Sequence, residues 1–129
     1  MGKKDTLRPD VANILIAHGS RDPLWRKPFE NLLDKSRISS PNKVFYLCYL
    51  ELCEPNMNDI LKELTKNNSN ITTINIFPIL LSAGVHFNKD IQKKVKDLYS
   101  IYPQIKFKLN DVIGDSSIVS DAIVKVITS

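Results

Sequence analysis

"NILIAHGSRDP", residues 13–23, is the stretch on which the reading of this chain turns. Asn13 to Ala17 is an apolar run of strand length that stops on His18-Gly19. After the loop "HGSRDP" the period changes: from Leu24 to about Ile38, Trp25, Phe29, Leu32, Leu33 and Ser36 recur at helical spacing. A short apolar strand followed by a loop and an amphipathic helix is the opening half of a β-α-β unit.

The same alternation continues along the chain. "VFYLCYL", Val44 to Leu50, is apolar throughout, as expected of a strand covered on both faces. Pro55 suits the first turn of a helix carrying Met57, Ile60, Leu61 and Leu64 inward. "NNSN", residues 67–70, reads as a turn before a third strand, Ile71 to Phe77. Pro78 has no N–H for a sheet ladder, so the strand is expected to end before it, and "PILLSAGVHF" reads as a long functional loop. His86 to Tyr102 follows as a helix with Phe87, Ile91, Val95, Leu98 and Tyr102 on one stripe. Ile105 to Leu109 is the fourth strand, and Ser117 to Ile127 a last helix with Ile118, Val119, Ala122, Ile123 and Val126 expected inward.

Connections this long exclude hairpins and point to an α/β fold, a parallel four-stranded sheet with helices on both faces. The common flavodoxin-like arrangement gives the strand order 2-1-3-4, in which ligands bind beyond the carboxyl ends of the strands, at the switch point between strands 1 and 3. Residues 12–129 are expected to form one domain, with residues 1–11 as an N-terminal extension. Apolar runs such as Phe77 to Leu81 are too short to cross a bilayer, and no apolar segment follows the basic start as a secretory signal would require. A cytoplasmic protein is the expectation. Cys48 and Cys53 read as reduced thiols, since two cysteines four residues apart match no zinc pattern. The formal net charge of +4 is spread among acidic residues and does not call for nucleic acid.

Both histidines of the chain fall at the expected switch point, His18 after strand 1 and His86 after strand 3. Glu51 follows strand 2, beside strand 1. Two imidazoles and a carboxylate suit a borderline divalent metal such as Co²⁺, Fe²⁺, Ni²⁺ or Zn²⁺, and imidazole exchanges protons readily near neutrality. Each histidine taken singly reads as well as a loop hydrogen-bonder, and Gly19, Gly84 and Gly114 read as turn formers. The conjunction carries the metal reading. Glycine-rich phosphate loops and the Gly-x-Ser-x-Gly elbow are absent from the sequence, so neither a nucleotide nor a serine hydrolase is indicated.

"LIAHGSRDP", "YLELCEP", "FPILLSAGVHFNKDI" and "VIGDSSIV", in that order, resemble the small class II chelatases, the sirohydrochlorin cobaltochelatases or ferrochelatases of CbiX or SirB type. The resemblance runs from about residue 12 to residue 127. It implies insertion of Co²⁺ or Fe²⁺, or Ni²⁺, into sirohydrochlorin on the way to cobalamin or sirohaem. The metal is then a substrate, with no ATP and no organic cofactor. It also implies a flavodoxin-like three-layer half-domain whose tetrapyrrole cleft is completed by homodimerisation. His18 and His86 match the metal-handling histidines, and Glu51 matches an acidic position beside them. The substrate carries many carboxylates, so Arg21 and Lys89 are the expected cationic rim. Leu80, Leu81, Gly84, Val85 and Phe87 are the expected contacts to the macrocycle. The family commonly has Pro where Gln92 follows Asp90-Ile91. Two other readings of the same residues remain: a metal-binding or delivery module without catalysis, and an interaction domain of this fold with neither activity.

Overall fold

The computed structural model describes residues 10–66 and 70–129. Residues 1–9 and most of the "NNSN" turn lie outside the described residues. The elements alternate without exception: β1 (Val11–Ala17), α1 (Pro23–Ser39), β2 (Val44–Tyr49), α2 (Met57–Thr65), β3 (Thr73–Pro78), α3 (Val85–Ile101), β4 (Lys106–Leu109) and α4 (Ser117–Ile127), with a 3₁₀ turn at Ile113–Asp115. All three strand pairings are parallel and the sheet order is β2-β1-β3-β4. The expected order 2-1-3-4 is the observed one.

Right-handed crossovers explain where the helices lie. The chain steps from β1 to β2 in one direction and from β2 back to β3 in the other, so α1 covers one face and α2 and α3 the opposite face. Alternate residues of each strand feed the two cores. Ala12, Ile14, Ile16, Cys48, Ile74 and Ile76 point into the larger core, against Met57, Ile60, Leu61 and Leu64 of α2 and Phe87, Ile91 and Leu98 of α3. Leu15, Ala17, Leu47 and Tyr49 point the other way and meet Trp25, Phe29 and Leu33 of α1. Trp25 and Phe29 stack at 4.6 Å between ring centroids.

Most strand ends shift by a residue or two from the sequence expectation, and three departures have an identifiable physical reason. The third strand includes Pro78, which is buried and lies in register with Ile16. The neighbouring amide, Ile79, donates to the Ile16 carbonyl at 2.8 Å, so position 78 faces the β4 side of the ladder. There β4 has already ended, at Leu109 opposite Ile76, and no donor is required. Helix α2 begins after Pro55, not at it. Asn56 caps the helix in a reciprocal box with Asp59, at 2.8 and 3.0 Å, while the Pro55 carbonyl accepts from Tyr49 N–H at 2.9 Å. The expected long loop shortens to residues 79–84, because Val85, His86 and Phe87 form the first turn of α3.

The largest correction concerns α4. Its bounds are as expected, but Ile118, Val119, Ala122, Ile123 and Val126 do not face inward, and no residue of this helix is buried. Ile118 is 81% exposed and Val126 77% exposed.

Cys48 lies in the middle of the larger core, fully buried and unpaired. Burial chiefly, with the Asp59 carboxylate as a second cause, pushes its thiol from the ordinary 9.0 to about 12. The neutral thiol is therefore present on both sides of the folding equilibrium below pH 9, and above it only the unfolded chain ionises until about pH 12. Stability should fall as pH rises through that window, by up to about 1.4 kcal/mol per pH unit from this group. Urea unfolding of wild type and Cys48→Ala at about pH 8 and about pH 10.5 checks this: the pH-dependent loss should be smaller in the variant.

Candidate functional site at the carboxyl edge of the sheet

The loop after β1 is built by its own short polar residues. Ser20 Oγ accepts from Asp22 N–H at 3.0 Å, and Asp22 in turn accepts from Leu24 N–H at 2.9 Å, capping α1 with Pro23 in its first turn. Arg26 Nη1 donates to the Ser20 carbonyl at 2.9 Å and ties the loop to the helix it precedes. Most of "GSRDP" therefore has structural work, which leaves His18 and Arg21 as its exposed functional groups.

Gly19 sets the position of His18. Its φ is +110°, and a Cβ placed on it would lie 1.8 Å from the Glu51 carbonyl oxygen. The two loops press together at this point, where Leu50 N–H donates to the Ala17 carbonyl at 3.0 Å and Glu51 N–H to the His18 carbonyl at 3.1 Å. These bonds carry the β1–β2 ladder past the end of the strands and hold the main chains of His18 and Glu51 side by side. Leu52 follows with φ of 69°, a left-handed conformation that costs a non-glycine residue about 1–2 kcal/mol. The turn it makes leaves its side chain 50% exposed beside Glu51.

His86 arrives from the other side of the switch point, in the first turn of α3, and is exposed. Its neighbour Phe87 is 5% exposed and belongs to the larger core. The Phe87 ring lies 5.4 Å from the His18 ring, centroid to centroid, tilted at 58°. One core residue thus supports His18 directly and fixes the helix turn that carries His86. Gly84 caps α3 without a side-chain hydrogen bond, and the first turn of that helix holds no acidic residue. Its N-terminal amides and the positive end of its dipole face outward from the sheet edge.

The remaining expected residues divide by burial. Arg21, Lys89, Leu81 and Val85 are exposed, Leu81 and Val85 at 68% and 67%. Leu80 is half-buried and packs on the core. Gly114 pins the loop from behind: its N–H donates to the Leu80 carbonyl at 2.9 Å, and a Cβ there would lie 1.8 Å from the Leu81 carbonyl oxygen. Leu24 (81% exposed), in the first turn of α1, and Leu52, on the loop after β2, stand at the same edge. Sequence pattern could not single them out, because a bare leucine and a core leucine look alike until the fold is known.

Among the described residues no three His, Cys, Asp or Glu side chains are placed to hold a metal ion together. The edge presents two exposed imidazoles and a carboxylate on separate segments, the loops after β1 and β2 and the first turn of α3, not a closed structural site. A cleft of about 450 Å³ adjoins it between α3 and the end of β4, lined by Ser82, Phe87, Asn88, Asn110, Asp111 and Asp115 among others, but by neither histidine. The histidine edge is a wall rather than a pocket.

An open parallel α/β unit with an exposed histidine on each side of its switch point defines the class: a small ligand-handling domain of flavodoxin-like architecture. The chain belongs to the CbiX family, whose family model matches residues 12–129. It is similar to the sirohydrochlorin cobaltochelatase of Methanopyrus kandleri, 31% identical over 83 residues, which span 64% of this chain and 57% of that protein. In structure it resembles a CbiX protein of Marinobacter aquaeolei VT8, described as a putative cobalamin biosynthesis protein, with a TM-score of 0.80, 28% identity and 92% of each chain covered. The sirohydrochlorin chelatase SirB of Bacillus subtilis subspecies spizizenii, solved in complex with cobalt, shares the fold with a TM-score of 0.77 at 24% identity. That match covers 92% of this chain and 50% of SirB.

Proposed function

We propose that this protein inserts a divalent metal, Co²⁺ or Fe²⁺, into sirohydrochlorin without ATP, as a step in cobalamin or sirohaem formation. The observation that carries the reading is the pair of exposed histidines at the switch point, supported from beneath by one core ring, in a chain of the CbiX family. Metallation releases two protons: the ring loses both pyrrole N–H hydrogens, the metal takes four nitrogen ligands, and it gives up the ligands it arrived with. His18 and His86 are suited to hold the incoming cation with few protein ligands and to accept those protons as neutral imidazoles. Glu51, whose main chain is bonded to that of His18, is the proposed group to take a proton onward or to share in holding the metal.

Recognition of the tetrapyrrole follows from the rest of the edge. Arg21, Lys89 and the amides that open α3 at Gly84 offer positive charge to its carboxylates. Leu81, Val85 and the outward-facing Leu24 and Leu52 offer apolar contact to the ring, with Leu80 and Phe87 backing them from the core. One copy presents a single wall, so the working unit is a homodimer that closes two walls over the substrate. No helix among the described residues is long and apolar enough to cross a membrane.

Anaerobic incubation with sirohydrochlorin and Co²⁺, then Fe²⁺, tests the activity through the change in tetrapyrrole absorbance. Metallation faster than the protein-free control is the expected result. Tight metal binding with no acceleration would leave a binding or delivery module instead. The rim assignment makes a separate prediction: Arg21→Ala combined with Lys89→Ala should raise KM for sirohydrochlorin roughly 3- to 10-fold with kcat little changed, as loss of uniform binding requires. A steady-state KM against kcat comparison, repeated at higher salt to screen the charges, checks it.

A further inference from the structure

We propose that the open edge of β4 and the groove beside it dock an extended segment of a partner protein, antiparallel to β4, with a basic residue, any residue and an acidic residue in succession. Docking here is independent of metallation. Among the described residues β4 has one neighbour in the sheet, β3. Lys106 N–H donates to the Thr72 carbonyl at 2.8 Å and Asn110 N–H to the Ile76 carbonyl at 3.0 Å. Alternation along the strand therefore turns the N–H and C=O of Phe107 and Leu109 away from β3, to the open side. Such a row of main-chain groups is a template for one more strand.

Helix α3 runs beside this edge and makes it selective. Its Asn88, Gln92, Lys96 and Tyr99 recur at helical spacing along one stripe, and with β4 and the turn after it they line two clefts of about 450 Å³ each, which meet at Gln92. The first, at the carboxyl end, holds buried Phe87 and Ile91, half-buried Leu109 and the exposed carboxylates of Asp111 and Asp115. The second, towards the amino end, holds half-buried Val95 and Phe107, Tyr99 at 56% exposed, and exposed Lys96 and Lys106. Among the described residues neither cleft is lined by a charge of the other sign.

Leu109 belongs to the acidic cleft and Phe107 to the basic one, two residues apart on one face of β4. In an antiparallel neighbour the residues opposite them share that face, stand about 7 Å apart and exchange both main-chain hydrogen bonds with them. The residue opposite Leu109 comes first and its side chain enters the acidic cleft. The one opposite Phe107 follows two positions later and enters the basic cleft. An Arg and then a Glu, with alkyl stems over the apolar floors, satisfy both. Charge also argues against a second copy as the occupant. Pairing β4 with β4 brings lysines to lysines, and the other open edge, β2, carries no charged residue over Val44–Tyr49.

The probe is the capped, fluorescein-labelled heptapeptide Thr-Val-Arg-Val-Glu-Val-Thr, titrated with the full chain and read by fluorescence anisotropy, with amide hydrogen exchange followed at Phe107 and Leu109. Saturable binding and slowed exchange at those two amides are the expected result. N-methylation of the probe at Arg and Glu removes the donors that face β4 and should weaken binding about 10-fold. The same modification at the central Val, whose N–H faces away, should change it by no more than about 2-fold. Lys96→Glu combined with Lys106→Glu, both exposed positions, should weaken the probe about 3- to 10-fold. A probe with Arg in place of its Glu should then bind the variant better than it binds wild type. No saturable binding at millimolar concentration would overturn the proposal. Equal loss from the two N-methylations, or binding indifferent to the lysine reversal, would overturn the pairing with β4. Acetyl-arginine amide binding as tightly as the heptapeptide would overturn the strand and leave a cation pocket. A lysine-reversal variant that circular dichroism shows unfolded passes the decision to Asp111→Lys, for which the probe with Glu in place of its Arg is the matched partner.

Discussion

His18→Ala combined with His86→Ala is expected to lower the rate of sirohydrochlorin metallation by about 10²- to 10⁴-fold, towards the protein-free rate, while leaving a folded protein. The size follows from what is removed. A positioned proton acceptor contributes about 10²–10⁴ to a proton-transfer step, and the same two side chains are the proposed hold on the cation. The fold should tolerate the loss, since both residues are exposed and neither belongs to a core. His18 gives up only its contact with the Phe87 ring. Single variants should each lose most of the activity, because residues that act as a unit are not additive. The measurement is initial rate by tetrapyrrole absorbance, beside an unfolding curve for each variant. A double variant that metallates as fast as wild type would remove the histidines from the mechanism. His18→Gln, which keeps a polar side chain without imidazole chemistry, separates proton acceptance from simple packing.

Gly19→Ala should be the most damaging single change to the fold at this edge. Two penalties add. An alanine at φ of +110° has left the region L-residues occupy, and its Cβ would stand 1.8 Å from the Glu51 carbonyl oxygen, a main-chain atom fixed by the bond between Glu51 N–H and the His18 carbonyl. Left-handed strain of about 1–2 kcal/mol and overpacking of about 1–3 kcal/mol give a loss of roughly 2–5 kcal/mol. That is a large fraction of the roughly 5–15 kcal/mol by which a domain of this size is stable. A fall in Tm of about 10 °C, or more, is the expected result by thermal unfolding. Gly114→Ala should approach it, since its Cβ meets the Leu81 carbonyl at the same 1.8 Å and would push the loop that leads into α3. Gly84→Ala is the control: a Cβ there meets nothing within 4 Å, and its φ is ordinary. Its cost should stay within about 1 kcal/mol. If Gly19→Ala and Gly84→Ala melted together, the close approach of the two loops would not be the feature that positions His18.

Much of the fold can be read from the pattern of residues alone, for a reason visible in particular segments. Val44 to Tyr49 is apolar on both sides because it is covered on both sides, and α3 shows Phe87, Ile91 and Leu98 at helical spacing because one stripe of it is buried. Periodicity records burial, and long connections between parallel strands leave few topologies. The common flavodoxin-like order, adopted on that basis, then puts His18 and His86 at the switch point. The boundaries could not be read this way, because they depend on which hydrogen-bond partners win, near or far in sequence. Pro78 stays in the sheet only because β4 stops at Leu109, and Pro55 is displaced from α2 by the box between Asn56 and Asp59.

By itself, then, the sequence determined the α/β alternation, the parallel character of the sheet and the chemistry on offer at its carboxyl edge. Each of these rests on local periodicity or on residue type. The order β2-β1-β3-β4 was expected from the commonest arrangement of such folds and is observed in the structure. Tertiary structure alone decided which glycines carry the edge, since nothing local distinguishes Gly19 and Gly114, pressed against main-chain carbonyls, from Gly84 in open space. It also decided which apolar residues are bare. The apolar face of α4 has the same period as that of α3, but one is buried and the other is not. The physical reason is that a hydrophobic pattern states that a surface is to be covered, and the position of the covering atoms depends on the whole arrangement in space, beyond the reach of any local run of residues.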